Sequence, residues 1–251
     1  MRLLARMFVG LCLAYPTSAV AQPAAEASLA ERPLLALLLL AGLSLLPFAF
    51  VTATSFVKIS VVLSILRNAL GTGQVPSGTV ITGLSLILTL YVMTPVGEAV
   101  AEAAGPGLAS VDPAGQAGPD EIAALREAVT AGKEPLREFL ARHAGEREQS
   151  LFLDLARRSR DAGDRDAVAV DDFLVVLPAF LISELKEAFQ IGFLVFLPFL
   201  VIDMVVANVL LALGMHMLSP TTVSLPFKLL LFVLVDGWYL LARGLVLGYA
   251  G

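Results

Sequence analysis

The chain has 251 residues, of which 57% are hydrophobic and only 16% charged, with a mean hydropathy of +0.83. A soluble domain carries about 25% charged residues, so the composition excludes an ordinary globular domain and favours a membrane protein. The formal net charge of −5 excludes nucleic acid as a partner, because phosphate binding needs a clustered basic surface. The one concentration of arginines, Arg157, Arg158, Arg160 and Arg165, is interleaved with Asp154, Asp161, Asp164 and Asp166 and reads as a solvated face.

The first element is read as a cleavable signal peptide over 1–21. Arg2 and Arg6 form a basic start, Met7 to Tyr15 an apolar core, and Ala19-Val20-Ala21 a small-x-small cleavage site. The other reading is a short buried helix; the signal peptide is preferred because the apolar run falls well short of the ~20 residues that span a bilayer. The single cysteine, Cys12, lies inside this segment, preceded by Leu11, which is too large for a lipoprotein site. Cleavage after Ala21 leaves a chain without thiolate chemistry or disulfides and sets the new N-terminus on the periplasmic side.

Two apolar blocks follow, around one polar segment. The first block runs from Pro33 to Leu66 and breaks at Arg67-Asn68 and Gly71-Thr72-Gly73. After a turn near Val75-Pro76-Ser77-Gly78 it resumes from Thr79 to Gly97. These make a first helical hairpin over 22–97. Of the 39 charged residues, 25 lie between Glu98 and Asp172, 16 acidic and 9 basic. Pro119-Asp120-Glu121 marks a helix start there, and Ile122, Leu125 and Val129 follow at helical spacing. Leu136, Phe139 and Leu140 repeat the pattern, as do Leu151, Phe152 and Leu155, so 98–172 is expected to be a small helical domain. The Gly-, Pro- and Ala-rich stretch 104–118 reads as a flexible connection. The second block runs from Phe173 to Met217, turns at Ser219-Pro220, and ends with Thr221 to Tyr249, a second hairpin over 173–251. Hydropathy alone counts four spans. A periplasmic N-terminus then puts the turn at 67–78 in the cytoplasm and the acidic 98–172 domain in the periplasm.

The second block carries groups that a lipid-facing helix should not: Glu184, Lys186, Glu187, Asp203, Asn208, Lys228 and Asp236. Each charge at mid-membrane costs about 2.5–3.5 kcal/mol on insertion scales. Ser183, Glu187 and Gln190 share one face by their i, i+4, i+7 spacing, a stripe that wants protein or water. One reading is a set of structural ion pairs inside a bundle; the sharper one is a wet path or contacts with charged neighbouring subunits. Pro198 removes a backbone donor in mid-segment and is expected to kink or break the helix.

Several strings resemble the flagellar FliP and injectisome SctR family. They are Ser55-Phe56-Val57-Lys58-Ile59 with Leu66-Arg67-Asn68-Ala69-Leu70-Gly71, and Val92-Met93-Thr94-Pro95-Val96. Others are Pro178-Ala179-Phe180-Leu181-Ile182-Ser183-Glu184-Leu185-Lys186 through Phe193, and Pro198-Phe199-Leu200-Val201-Ile202-Asp203. The last is Leu225-Pro226-Phe227-Lys228 through Val235-Asp236-Gly237-Trp238. The likeness covers about 33–100 and 173–240, leaving out the polar domain. It implies an all-α fold of membrane-associated hairpins with a small helical periplasmic insertion, assembled into an export gate in the bacterial inner membrane. Five copies would join two smaller partners, SctS- and SctT-like in injectisomes or FliQ- and FliR-like in flagella, with much of the cone above the bilayer. Unfolded secreted proteins would pass through its centre.

The resemblance also implies a gate and a charge pair. The family closes its pore with a methionine loop after a glycine. Gly214-Met215-His216-Met217-Leu218 takes that place, with Met215, His216 and Met217 as the gasket and His216 standing where a third methionine is common. A flexible thioether chain adapts to what packs against it; the plain alternative is two apolar side chains in a turn. Glu184 and Lys228 match the family's charges at contacts between subunits. Met217-Leu218-Ser219-Pro220-Thr221-Thr222 resembles the injectisome branch, whereas a cleavable signal is more a flagellar trait. No cofactor, metal or catalytic role is expected. His143 and His216 lie in different zones, Asp203 and Asp236 are weak evidence for an aspartyl protease, and Gly71-Thr72-Gly73 is too short for a phosphate loop. A secondary transporter with broken helices is the other class, disfavoured because the two hairpins show no internal repeat.

Overall fold

The computed structural model describes residues 44–71, 76–109 and 119–250, apart from 46, 162 and 164. The segment expected to be a signal peptide, with Cys12, lies outside the described residues. The chain divides into two compact units, Met1–Leu45 and Leu46–Gly251, and the second carries every element that follows.

The described residues are helical, with no strand among them. After helical residues 47–52 and a bend at 53–55 come α1 (Phe56–Leu70), α2 (Gly78–Ala109), α3 (Pro119–His143) and α4 (Glu146–Arg158). A 3-10 turn at Arg165–Ala167 leads to α5 (Phe173–Ala212), α6 (Pro220–Leu234) and α7 (Gly237–Leu247). α1 buries Lys58, Ile59, Val62, Leu63, Leu66, Ala69 and Leu70, the stripe of a helix with one face to the core. The first core joins that stripe to Ile81, Ala188, Phe199, Phe232, Leu241 and Leu245. The second joins Phe139, Leu140 and Ala144 of the polar segment to Val176, Ala179 and Phe180. α5 belongs to both cores and packs against α1, α3, α4 and α6, so it is the spine of the unit.

α5 answers one part of the expectation drawn from Pro198: the helix is not broken there. It runs unbroken through both Pro178 and Pro198 for 40 residues, about 60 Å at the rise of an α-helix. A proline removes one backbone bond and crowds the preceding turn, and neighbouring packing can hold the helix regardless. Here Ile191, Val195, Phe196 and Phe199, on either side of Pro198, are all held by the first core. The helix is about twice as long as the ~30 Å hydrocarbon core.

The span count changes too. Among the described residues two helices are long and apolar enough to cross a membrane, α2 and α5, or three if the pair α6–α7, bent by 60°, counts as one. Hydropathy missed the bend because 221–249 is apolar on average despite Lys228, Asp236 and Arg243, whereas the backbone turns left-handed at Asp236, φ 51°. The first apolar block lies partly outside the described residues, and its described part is interrupted at 53–55. α2 also crosses residue 98 without a break and ends at Ala109, so 104–109, expected to be a flexible connection, is helical; 110–118 lie outside the described residues.

Large apolar side chains are exposed along α2 (Ile87, Leu90, Tyr91) and α5 (Phe189, Phe193, Leu194, Val201, Met204, Val205). Continuous apolar surface of this kind fits lipid or partner protein, not water.

Candidate functional site

Three polar clusters and one loop stand out from this apolar frame. The first cluster lies where α1 crosses α5. Lys58 of α1 is buried, with Nζ 3.0 Å from Glu184 and 2.7 Å from Glu187 of α5. The contact with Glu184 Oε1 is an ion pair out of line for a hydrogen bond. The hydroxyl of Tyr249, beyond α7, donates to the other Glu184 oxygen, and the Lys58 ammonium sits 4.2 Å from the centre of the Tyr249 ring. Glu184 is completely buried, so these partners replace the water it has lost.

The second cluster ties α6 to α1 and α5. Lys228 Nζ is 2.6 Å from Asp203 and donates to the Ala69 carbonyl at 3.1 Å. Ala69 is in the last turn of α1, where carbonyls lack helical partners and the helix dipole favours a cation. Gly71 ends that helix with φ 72°, and a side chain there would come within 3.5 Å of the Lys228 ammonium. The Ser224 hydroxyl donates to the other Asp203 oxygen. Three strings separated in sequence, around 66–71, 198–203 and 225–228, therefore meet at one buried ammonium.

The third cluster joins α5 to the polar segment. Ser183 accepts a hydrogen bond from the Gly145 N–H at 2.8 Å, and Lys186 pairs with Glu148 at 3.0 Å. Lys186 holds the Glu148 carboxyl below the usual carboxylate range. Beside this corner, His143 packs at a tilt against both Phe139 and Tyr249. Burial pushes its pKa down, and the Lys58 and Arg142 charges push the same way against the Phe139 carbonyl it contacts.

The clusters also place the residues that the sequence singled out in α5. Of the stripe of Ser183, Glu187 and Gln190, Ser183 turns to Gly145, Glu187 is half-exposed beside Lys58, and Gln190 is exposed. Glu184 and Lys228, expected as a charge pair between subunits, do not meet within the chain; each has its own partner, Lys58 and Asp203. Lys58 and Tyr249 were missed. A usable signal was present for Lys58, the one cation in the first apolar block before Arg67, whereas nothing local marks Tyr249.

The loop follows from how α5 ends. Gly214 takes φ 72°, its N–H bonds the Leu211 carbonyl, and the Met215 N–H reaches back to Leu210 at 2.9 Å. This is the Schellman arrangement, which satisfies the last carbonyls of a helix and needs a residue that tolerates the left-handed region. Ser219 and Pro220 then start α6 at once. Between them Met215, His216, Met217 and Leu218 are all exposed, Met215 and Leu218 by less than half of their surface and Met217 by 99%. Met217 is thus not packed into the turn. Among the described residues no three of His, Cys, Asp and Glu stand together as a metal site.

Residues 39–245 match the FliP family. The match runs through the polar domain, which the sequence strings had left out. The chain is 46% identical over 215 residues to the Yop proteins translocation protein R of Yersinia pestis, covering 86% of this chain and 95% of that protein. It is 43% identical over 208 residues to the hypersensitivity response secretion protein HrcR of Ralstonia nicotianae, covering 83% and 93%. It is 50% identical over 209 residues to the flagellar biosynthetic protein FliP of Pectobacterium carotovorum, covering 83% and 76%.

Proposed function

The chain belongs to the FliP family, and on that premise we propose that it is a pore-forming gate subunit of a type III protein secretion apparatus in the bacterial inner membrane. It is a component of a multi-subunit secretion machine, and its apolar helices place it in the membrane. In this reading it assembles as a homo-oligomer of about five copies, as the resemblance implies, with SctS- and SctT-like subunits, passes unfolded secreted proteins, and keeps the 98–172 domain on the periplasmic side. It carries structure rather than catalysis.

The single observation that carries the gate is the loop at 215–218. Apolar side chains held outward by a rigid helix end and a tight helix start cost free energy in water, and Met217 has no contact with its own chain to offset that. Copies of the loop converging on one axis remove that surface from water, and flexible methionines close around one another and still give way to a polypeptide. Glu184 and Lys228 act on subunit contacts indirectly in this reading, by holding α1, α5 and α6 in the arrangement that neighbours meet.

The test replaces Met215 and Met217 by serine in the assembled apparatus and measures ion and small-dye leak across the membrane. Leak should rise while the subunit still assembles; a membrane as tight as with the native loop sinks the gasket.

The flagellar branch is supported by the 50% identity with a flagellar relative. The secretion branch is supported by relatives matched over 95% and 93% of their length, against 76% for that flagellar protein. Deleting the gene separates them: loss of secretion with intact swimming supports the first, loss of swimming the second.

A further inference from the structure

Seven charged residues follow Phe173: Glu184, Lys186, Glu187, Asp203, Lys228, Asp236 and Arg243. Five are matched within the chain, in the three clusters described above. Asp236 and Arg243 are not: among the described residues neither side chain has an ion pair or hydrogen bond, and both are exposed. They stand on the bent apolar pair α6–α7.

Their placement is specific. Asp236 occupies the left-handed corner between α6 and α7, and Arg243 lies seven residues on in α7. Seven residues are nearly two full turns, so the two charges share a face about 10 Å apart along the helix. Leu240 and Leu247 occupy the same exposed face. The surface is therefore apolar, with one acid and one base left uncompensated. Lipid hydrocarbon satisfies neither charge, and a lipid phosphate would satisfy only the arginine. A face that carries one charge of each sign at a fixed offset is complementary to itself.

We propose that this face of α7 docks against a second copy of the chain, with Asp236 of one subunit paired to Arg243 of the next. This rests on the reading of the protein as a homo-oligomeric gate subunit. Copies inserted in the same sense cannot lie antiparallel. The pairing is then staggered along the helix by the offset between the two charges, so that the acid of one copy meets the base of the other, with the remaining acid and base at the two ends of the contact. The length of the arginine side chain takes up part of the offset.

The experiment uses full-length chains in a Cys12→Ser background, one tagged and carrying Asp236→Cys, the other differently tagged and carrying Arg243→Cys. Oxidation of membranes holding both should give a mixed-tag disulfide dimer that neither variant forms alone. A parallel measurement follows the oligomer recovered in detergent for Asp236→Asn, Arg243→Gln and the double variant. Each single variant should lose oligomer, and the double variant should recover part of the loss, because one lone charge at an interface is worse than none. A native oligomer with no mixed crosslink, or one indifferent to both substitutions, overturns the pairing and leaves the gate reading standing. A native chain that forms no oligomer overturns both.

Discussion

Lys228 lies 2.6 Å from Asp203, 25 positions earlier in the chain, and the same ammonium closes the end of α1 through the Ala69 carbonyl. One side chain thus fixes three helices at a point where each would otherwise bury an unmatched polar group.

Replacing Lys228 by methionine should therefore destabilise strongly, in the range of about 3–5 kcal/mol for breaking a buried pair, and toward its lower end because Asp203 keeps some exposure and its Ser224 bond. The double variant Asp203→Asn with Lys228→Met should lose less than Lys228→Met alone. Thermal unfolding of the purified protein in detergent reads both.

The Lys58 cluster predicts an order rather than a size. Lys58→Met leaves Glu184 fully buried with only the Tyr249 hydroxyl, whereas Glu184→Gln leaves Lys58 its contact with Glu187. The lysine variant should unfold at the lower temperature. Equal losses would mean that Glu187 contributes nothing.

Gly214 should reject a branched side chain. Its φ of 72° lies where an ordinary L-residue pays about 1–2 kcal/mol, so Gly214→Val should lower stability by about that much and Gly214→Asn by less. Met217→Ser, by contrast, touches nothing in the chain and should leave unfolding unchanged within about 0.5 kcal/mol.

His143 makes stability depend on pH. Its folded pKa lies below the ordinary 6.5, so below that pH the unfolded chain binds the proton first. Stability is full above about pH 6.5 and is lost as pH falls toward the depressed folded value. His143→Gln should flatten this part of the profile. Glu148, held below its ordinary 4.5 by Lys186, loses its contribution only in more acid solution, and the difference between the native and His143→Gln unfolding profiles reads the histidine.

Composition and local pattern were enough to determine a membrane protein made of helices, the turn at Ser219-Pro220, the helix start at Pro119, and the strings that mark the FliP family. These depend on hydropathy, period and turn chemistry, which act over a few residues. The tertiary structure decided what lies between distant residues. Pro198 does not break α5, because the first core, to which α1, α6 and α7 also contribute, holds the helix where its own backbone is weakened. α6 and α7 part at Asp236, inside a run that averages as one apolar span, where a single charge does not by itself say that the backbone turns. Most of all, the partner of each charge was not legible. Glu184 could have met Lys58, Lys186 or Lys228, and opposite charge favours all three alike. The choice fell to Lys58 because the crossing of α1 over α5 brings those two within 3.0 Å, and Coulomb attraction in a protein interior acts on the distance that packing has already set.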